Sequence, residues 1–289
     1  PGREVPHPAA PLPDRREHHG VDHGHQSGDS AAGAPHWAET GTTYTGTLGG
    51  GQGLAGRADG SLLYRGLASI PLDLRTKGWN HIGDPDIARG HVFDAYQGPD
   101  NATSKMFAVT TPAGQRYEYV HPLDPGEKPN NSFAAVSPDG QWLVSGEWGL
   151  QHRLQVFPAP LLNPSAPATG GTLAQAGQIS LDKPVRDLQG CDFVTGTRLL
   201  CASNDATGAL FPEIRPLLQV DLPHEVDGRP VTGTVTSLFA LPQRSVCTGA
   251  FETEGVDYHP DSGTLRAQMI PPGVCAVATA VHAYQQVTD

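Results

Sequence analysis

An all-β fold assembled from repeated hairpins is what the sequence predicts, on three observations. The first is Ser132 to Trp148, SFAAVSPDGQWLVSGEW, in which two apolar runs face each other across Ser-Pro-Asp-Gly. Phe133, Ala135 and Trp142-Leu143-Val144 supply strand formers, while Pro138, Asp139 and Gly140 supply the fixed φ, the Asx cap and the permissive φ of a tight turn. The second is recurrence: looser copies turn at Gly90, Gly196 and Gly263, with spacings of 50, 56 and 67 residues along the series that includes Gly140. The third is the near absence of helical periodicity. A hairpin repeated at about 40 to 50 residues, with long insertions, marks the blades of a β-propeller. With Gly60 as a fifth marker, about five blades fit, and six if some outer strands are short. A β-sandwich or jelly roll also has many short strands, but the repeated unit here is a hairpin with a similar turn, not a Greek-key order.

Taken in order, residues 1–56 are expected to be a flexible lead-in rich in His, Pro and Gly, and residues 57–289 the propeller. The lead-in has few large side chains to offset its ordering entropy. Within it His18, His19, Asp22, His23 and His25 form a tract of a kind that binds transition metals through neutral imidazole or simply stays solvated. Asp59-Gly60 precedes a strand at Ser61–Tyr64, and Ala68–Leu72 is expected to be another, with Pro71 at its end. Asp86-Ile87 and His91–Tyr96 flank Ala88-Arg89-Gly90, and Met106–Thr110 with Gln115–Val120 complete that blade. The Ser132 hairpin follows, with Arg153–Phe157 as its third strand and Pro158–Gly171 as a surface loop. Strands are expected at Gln178–Leu181, around Gly196, at Pro216–Leu222 and Val231–Leu241, around the turn His259–Gly263, and at Ala276–Tyr284.

The formal charge of −11 disfavours nucleic acid, and no cluster of Lys and Arg reverses it locally. No apolar run approaches the ~20 residues of a bilayer span. The chain begins at Pro1 without an apolar leader and is expected to be a processed product. Of the four cysteines, Cys191 and Cys201 lie symmetrically about Gly196, so a hairpin turning there places them opposite each other, which leaves Cys247 and Cys275 to pair. Two bridges imply an oxidising compartment and a secreted, extracellular protein; four reduced buried thiols are the alternative. Asn101-Ala102-Thr103 and Asn130-Asn131-Ser132 match the glycosylation sequon.

The run Ala135-Val136-Ser137-Pro138-Asp139-Gly140-Gln141-Trp142-Leu143-Val144 resembles the hairpin of TolB, YVTN and SMP-30/gluconolactonase-like propellers. Cys191–Ser203 and Gly255–Asp261 are weaker versions of it. The resemblance covers about 70 residues and implies a propeller. In its lactonase branch it implies a divalent metal at the channel, held by Glu, Asn and Asp, a set that Asn204-Asp205 matches only loosely.

Registered on their turns, Asp86, Asp192 and Asp257 occupy one position of three hairpins, where the Ser132 hairpin has Ala135. The innermost strand of each blade lines the channel, so these carboxylates are expected to converge. Converging carboxylates need a cation, an Arg or protons among them, and calcium is the expected divalent metal; capping of local N–H groups is the competing role of an aspartate at a strand start. His81 is a candidate general base or ligand, with Asp84 beside it, and Glu147 a second candidate for proton transfer. Asp94, Tyr96, Glu147, Trp148, Asn204 and Asp205 end the second strands of three hairpins and are candidates for a rim that binds a small polar molecule or glycan. Two functions are therefore expected to compete: a metal-dependent hydrolase or binder acting on a lactone, ester or sugar at the channel mouth, and a non-catalytic propeller that binds a protein or glycan through its rim. A monomer is expected.

Overall fold

The computed structural model describes residues 36–130 and 133–287; the histidine tract lies outside them. Twenty strands are present among the described residues. The chain opens with β1 (His36–Gly46), a short helix α1 (Thr47–Gly50), β2 (Gly53–Gly56) and β3 (Leu62–Arg65). After a 3₁₀ turn at Leu67–Ser69 come α2 (Leu72–Thr76), β4 (His81–Ile82), β5 (Asp86–Ala88), β6 (His91–Gln97), β7 (Ser104–Thr110) and β8 (Arg116–Pro122). The Ser132 hairpin forms β9 (Ala135–Val136) and β10 (Trp142–Ser145), followed by β11 (Leu150–Pro158), β12 (Gly171–Thr172) and β13 (Gly177–Arg186). The remainder is β14 (Leu188–Thr195), β15 (Arg198–Ser203), β16 (Pro216–Asp221), β17 (Val231–Ala240), β18 (Glu252–His259), β19 (Thr264–Ile270), a 3₁₀ turn at Gly273–Val277, and β20 (Ala278–Val287).

Five antiparallel units emerge from the pairing: β2-β3; β4 and β5 with β6-β7-β8; β9-β10-β11-β13; β14-β15-β16-β17; and β18-β19-β20-β1. Their first strands touch in cyclic order, β2 to β5, β5 to β9, β9 to β14, β14 to β18 and β18 back to β2. That closed ring makes the chain an all-β, five-bladed propeller. Buried clusters fill the spaces between blades. Phe93, Phe107 and Tyr119 of the second blade meet Val136, Leu143 and Phe157 of the third, and Leu200 and Leu217 of the fourth meet Val256, Leu265 and Tyr284 of the fifth. Disulfides join Cys191 to Cys201 and Cys247 to Cys275.

Two expectations need correction. Residues 36–56 are not a lead-in: β1 pairs with β20 from His36↔Val287 to Gly46↔Ala278 and closes the ring as the outermost strand of the last blade. An outermost strand needs no apolar face, and β1 is mostly exposed, which is why HWAETGTTYTG did not read as one. The glycines of Gly53-Leu54-Ala55-Gly56 belong to an innermost strand, where neighbouring backbones crowd. The segment at Ala68–Leu72 is not a strand either. Pro71 caps the start of α2, and Ile70 and Leu74, four apart as helical packing favours, are buried against Ile82, Tyr96 and Met106. Thus α2 covers a side of the second blade.

Candidate functional site

The three aspartates that register alike do come together at the axis, and hydrogen bonds explain how. Asp86 Oδ2 accepts from Val136 N–H at 2.7 Å, Asp192 Oδ2 from Tyr258 N–H at 2.7 Å, and Asp257 Oδ1 from Gly56 N–H at 2.9 Å. Each carboxylate on one inner strand thus holds a backbone donor on the inner strand of the next blade. Asp86 and Asp192 also accept from their own following residues, Ile87 and Phe193.

Asp84, two residues before Asp86 and fully buried, spans the axis. Its Oδ1 accepts from Leu54 N–H in the first blade at 2.9 Å and its Oδ2 from Val256 N–H in the fifth at 3.1 Å. Three glycines from other blades make room for it. A Cβ on Gly53 would lie 2.7 Å from Asp84 Oδ1, one on Gly190 would lie 2.5 Å from Oδ2, and one on Gly255 would collide with Oδ1. The sequence carried this signal unread: Asp84-x-Asp86, Gly190-x-Asp192 and Gly255-x-Asp257 are one pattern. The residue two before each stitching aspartate points the same way along a strand, so one blade supplies the plug and two supply the space.

Burial, first, pushes the carboxyl groups of Asp84, Asp86, Asp192 and Asp257 upward, Asp86 to about 7, and Coulomb repulsion within the group reinforces the rise for Asp84, Asp86 and Asp192. The backbone donors oppose it. Glu254, buried on β18 with neither carboxyl oxygen accepting a hydrogen bond, is raised by burial and by Glu252 beside it. The cluster therefore holds protons more tightly than free carboxyl groups do.

These residues do not fit a divalent cation. Of the six carboxylate oxygens on Asp86, Asp192 and Asp257, only Asp257 Oδ2 lacks a backbone donor, so the other five each spend a lone pair on strand-to-strand or local hydrogen bonds. Nor do the three form a set whose ligand atoms all lie within 4.8 Å of one another; among the described residues only His121, Asp124 and Glu127 do. That group already has its cation. The buried Lys105 ammonium lies 3.2 Å from Glu127 Oε2 and 2.5 Å from Gln155 Oε1, and His121 Nε2 lies 2.8 Å from Glu127 Oε1. Burial alone would raise Glu127, but His121 and Lys105 outweigh it and pull the carboxyl to about 2.

The other candidates separate. His81 is half-buried on β4, and burial lowers its pKa against the pull of Glu252, so the imidazole is neutral near pH 7. Glu147 is engaged by Arg153 Nε at 3.1 Å and Lys128 N–H at 2.9 Å, contacts that anchor its carboxylate between two segments. Asp94 pairs with Arg65 at 2.8 Å, and Tyr96 is buried in the core, so neither reaches the rim. Asn204 Oδ1 accepts from Arg215 Nε and Thr253 N–H, and Asp205 Oδ1 accepts from Thr207; both shape a loop. Trp148 of the rim set lines a pocket. That pocket, of about 300 Å³, is shared with Gln97, Asp100, Lys128, Pro129, Asn130 and Gly149.

No family model and no curated protein matches the chain. Solved structures to which it is similar include the β-propeller domain of Myceliophteria thermophila Cps50 (Swd1), 13% identical over 62% of this chain and 47% of that one with a TM-score of 0.32. Another is the major Malassezia sympodialis allergen Mala s 1, 12% identical over 76% of this chain and 61% of that one with a TM-score of 0.42. The chain thus spans about half to three-fifths of the length of these structures. The fold assignment rests on the ring of inner strands.

Proposed function

We propose that this is a non-enzymatic binding propeller of an oxidising, extracellular compartment, taking a small polar ligand of the sugar class at its rim. The observation that carries the reading is the division between axis and rim. The axis is filled by Asp84 and its carboxylates hold strands together, whereas Trp148 presents a half-exposed indole in a pocket with amide and charged groups around it. An aromatic face beside a few convergent polar groups is the chemistry that sugar rings need, apolar C–H surface on one side and hydroxyls on the other. Asp100 and Lys128 bring one charge of each sign, which suits an uncharged ligand. The hydrolase reading loses support because Glu147 is engaged and the aspartates face backbone donors. Two disulfides support the compartment, and no helix among the described residues is long and apolar enough to cross a membrane.

Isothermal titration calorimetry with a panel of neutral mono- and disaccharides tests the proposal. At least one sugar should bind saturably, and Trp148→Ala should weaken it by about 10- to 100-fold, the equivalent of roughly 1.4 to 3 kcal/mol. Binding that Trp148→Ala leaves intact, or turnover of a lactone or ester by the purified chain, overturns it.

A further inference from the structure

A second cleft, of about 550 Å³, lies against the outer half of the fifth blade, away from both the axis and Trp148. Its floor follows from strand periodicity. Ala278, Ala280 and His282 alternate along β20 and share a face, so two methyl side chains leave a trough that ends at an imidazole. Met269 of β19 and Tyr44 of β1 flank it, and Phe251 and Val246, from the connection between β17 and β18, form the wall. The Cys247–Cys275 disulfide ties that connection to the 3₁₀ turn before β20, which holds the wall in place. Val246 is 97% exposed and Tyr44 70%, so large apolar surface is held in water at the mouth, where a ligand would cover it.

The polar groups narrow the ligand class. Arg244 is paired with both oxygens of Glu39, so the cleft offers an incoming carboxylate no uncompensated cation. His282 Nδ1 lies 2.9 Å from Thr42 Oγ1 and 3.4 Å from Glu39 Oε1. Burial holds the imidazole below its ordinary pKa despite Glu39, so the ring is neutral and Nε2 remains for one hydrogen bond. The volume falls within the range of about 300 to 1,000 Å³ usual for small-molecule sites.

We propose that this cleft binds an uncharged lipophile bearing a single hydroxyl, with its apolar body on Ala278, Ala280, Met269 and Phe251 and its hydroxyl donating to His282 Nε2, the ring nitrogen left as acceptor because Nδ1 faces Thr42 and Glu39. The site is independent of the sugar pocket, and either stands without the other.

Nile red uptake by the full chain, with competition by 1-dodecanol, dodecanoate at pH 8 and dodecyltrimethylammonium, tests it. Saturable uptake is expected, with dodecanol competing at least tenfold better than either charged analogue. Ala278→Phe fills the trough and should weaken dodecanol at least tenfold. Val246→Ser, at a position too exposed to disturb folding, should weaken it several-fold and decides the matter if Ala278→Phe does not fold. Leu72→Ser, an exposed leucine on α2, should change nothing. Equal competition by dodecanoate, uptake indifferent to both cleft variants, or a stable homodimer that takes up no probe each overturns the assignment.

Discussion

The axial carboxyl groups should make the protein lose stability as pH rises, the reverse of what salt-bridged carboxylates do. Each is raised in the folded state, so between its unfolded and folded pKa the native chain binds more protons than the unfolded one, and stability falls with pH across that window. It is fully present below about pH 4 and disappears as pH passes the folded values. For Asp86 the rise from 3.8 to about 7 corresponds to roughly 4 kcal/mol at about 1.36 kcal/mol per unit. That is a ceiling, because Asp86 as a residue is only half-buried and the group titrates together. Even half of it is a large part of the ~5 to 15 kcal/mol by which domains are stable. Asp257→Asn isolates the effect: it keeps an acceptor for Gly56 N–H and places a neutral amide where Oδ2 has no donor. Guanidinium unfolding followed by circular dichroism from pH 5 to 8 should show a falling midpoint in the parent. The variant should be more stable than the parent at pH 8, with the difference shrinking toward pH 4, where the parent carboxyl is protonated in both states. Asp261→Asn, the same charge change at an exposed turn, should not reproduce it. Stability that is flat or rises to pH 8, or an Asp257→Asn variant weaker at pH 8, refutes the reasoning and points to a cation among charged carboxylates.

Excess EDTA should leave the thermal midpoint unchanged; a fall, restored by Ca²⁺, would reinstate a metal. Gly190→Ala puts a Cβ 2.5 Å from Asp84 Oδ2 and should destabilise by about 1 to 3 kcal/mol or more, as overpacking does, read from the same unfolding curves. Lys105→Met leaves Glu127 buried without its ammonium and should lower stability by about 3 to 5 kcal/mol; the double variant with Glu127→Gln should recover part of that. Deleting residues 36–46 removes the strand that closes the ring and should abolish the cooperative transition in calorimetry.

Much of the fold was legible because turns are local. Gly60, Gly90, Gly140 and Gly263 all have positive φ, a requirement that glycine meets without strain, and each sits where a hairpin was expected. Gly196 turns a hairpin without positive φ; there a Cβ would meet the Glu225 side chain, so crowding and not dihedral angle explains the glycine. The Cys191–Cys201 bridge was readable for the same local reason, since the two residues are directly opposite in the ladder. What was missed depends on partners far along the chain. β1 has little apolar surface, and its place is fixed by hydrogen bonds to β20, more than 200 residues later. The convergence of Asp86, Asp192 and Asp257 could be read from register, but their roles could not, because the donors they meet are backbone N–H groups on other blades that any sequence supplies. Asp94 and Tyr96 failed as rim residues because the end of a second strand does not say how far the side chain is covered by α2 and Arg65.

The axis and the rim divide the work of this chain for a physical reason. Five blades leave a narrow centre, in which the inner-strand backbones present unpaired N–H groups to one another, and buried donors must be satisfied. Aspartate at the strand start does this across a blade boundary, but several of them meet in a space too small for their charges. Raised pKa values ease that conflict by favouring the protonated form, and the Arg266 charge eases it at Asp257. A centre solved in this way is a closed centre. Asp84 can be admitted only where Gly53, Gly190 and Gly255 omit their side chains, and its carboxylate is fully buried among them. The two proposed binding sites use surfaces whose side chains the ring does not need: the loop carrying Trp148, and the trough that two alanines and a disulfide-anchored wall leave beside the last blade. A variant that empties the axis, Asp84→Ala, should therefore weaken the fold while leaving sugar affinity per folded molecule unchanged. Loss of that affinity in the folded fraction would mean that axis and rim are not separate, and that the carboxylates take part in binding after all.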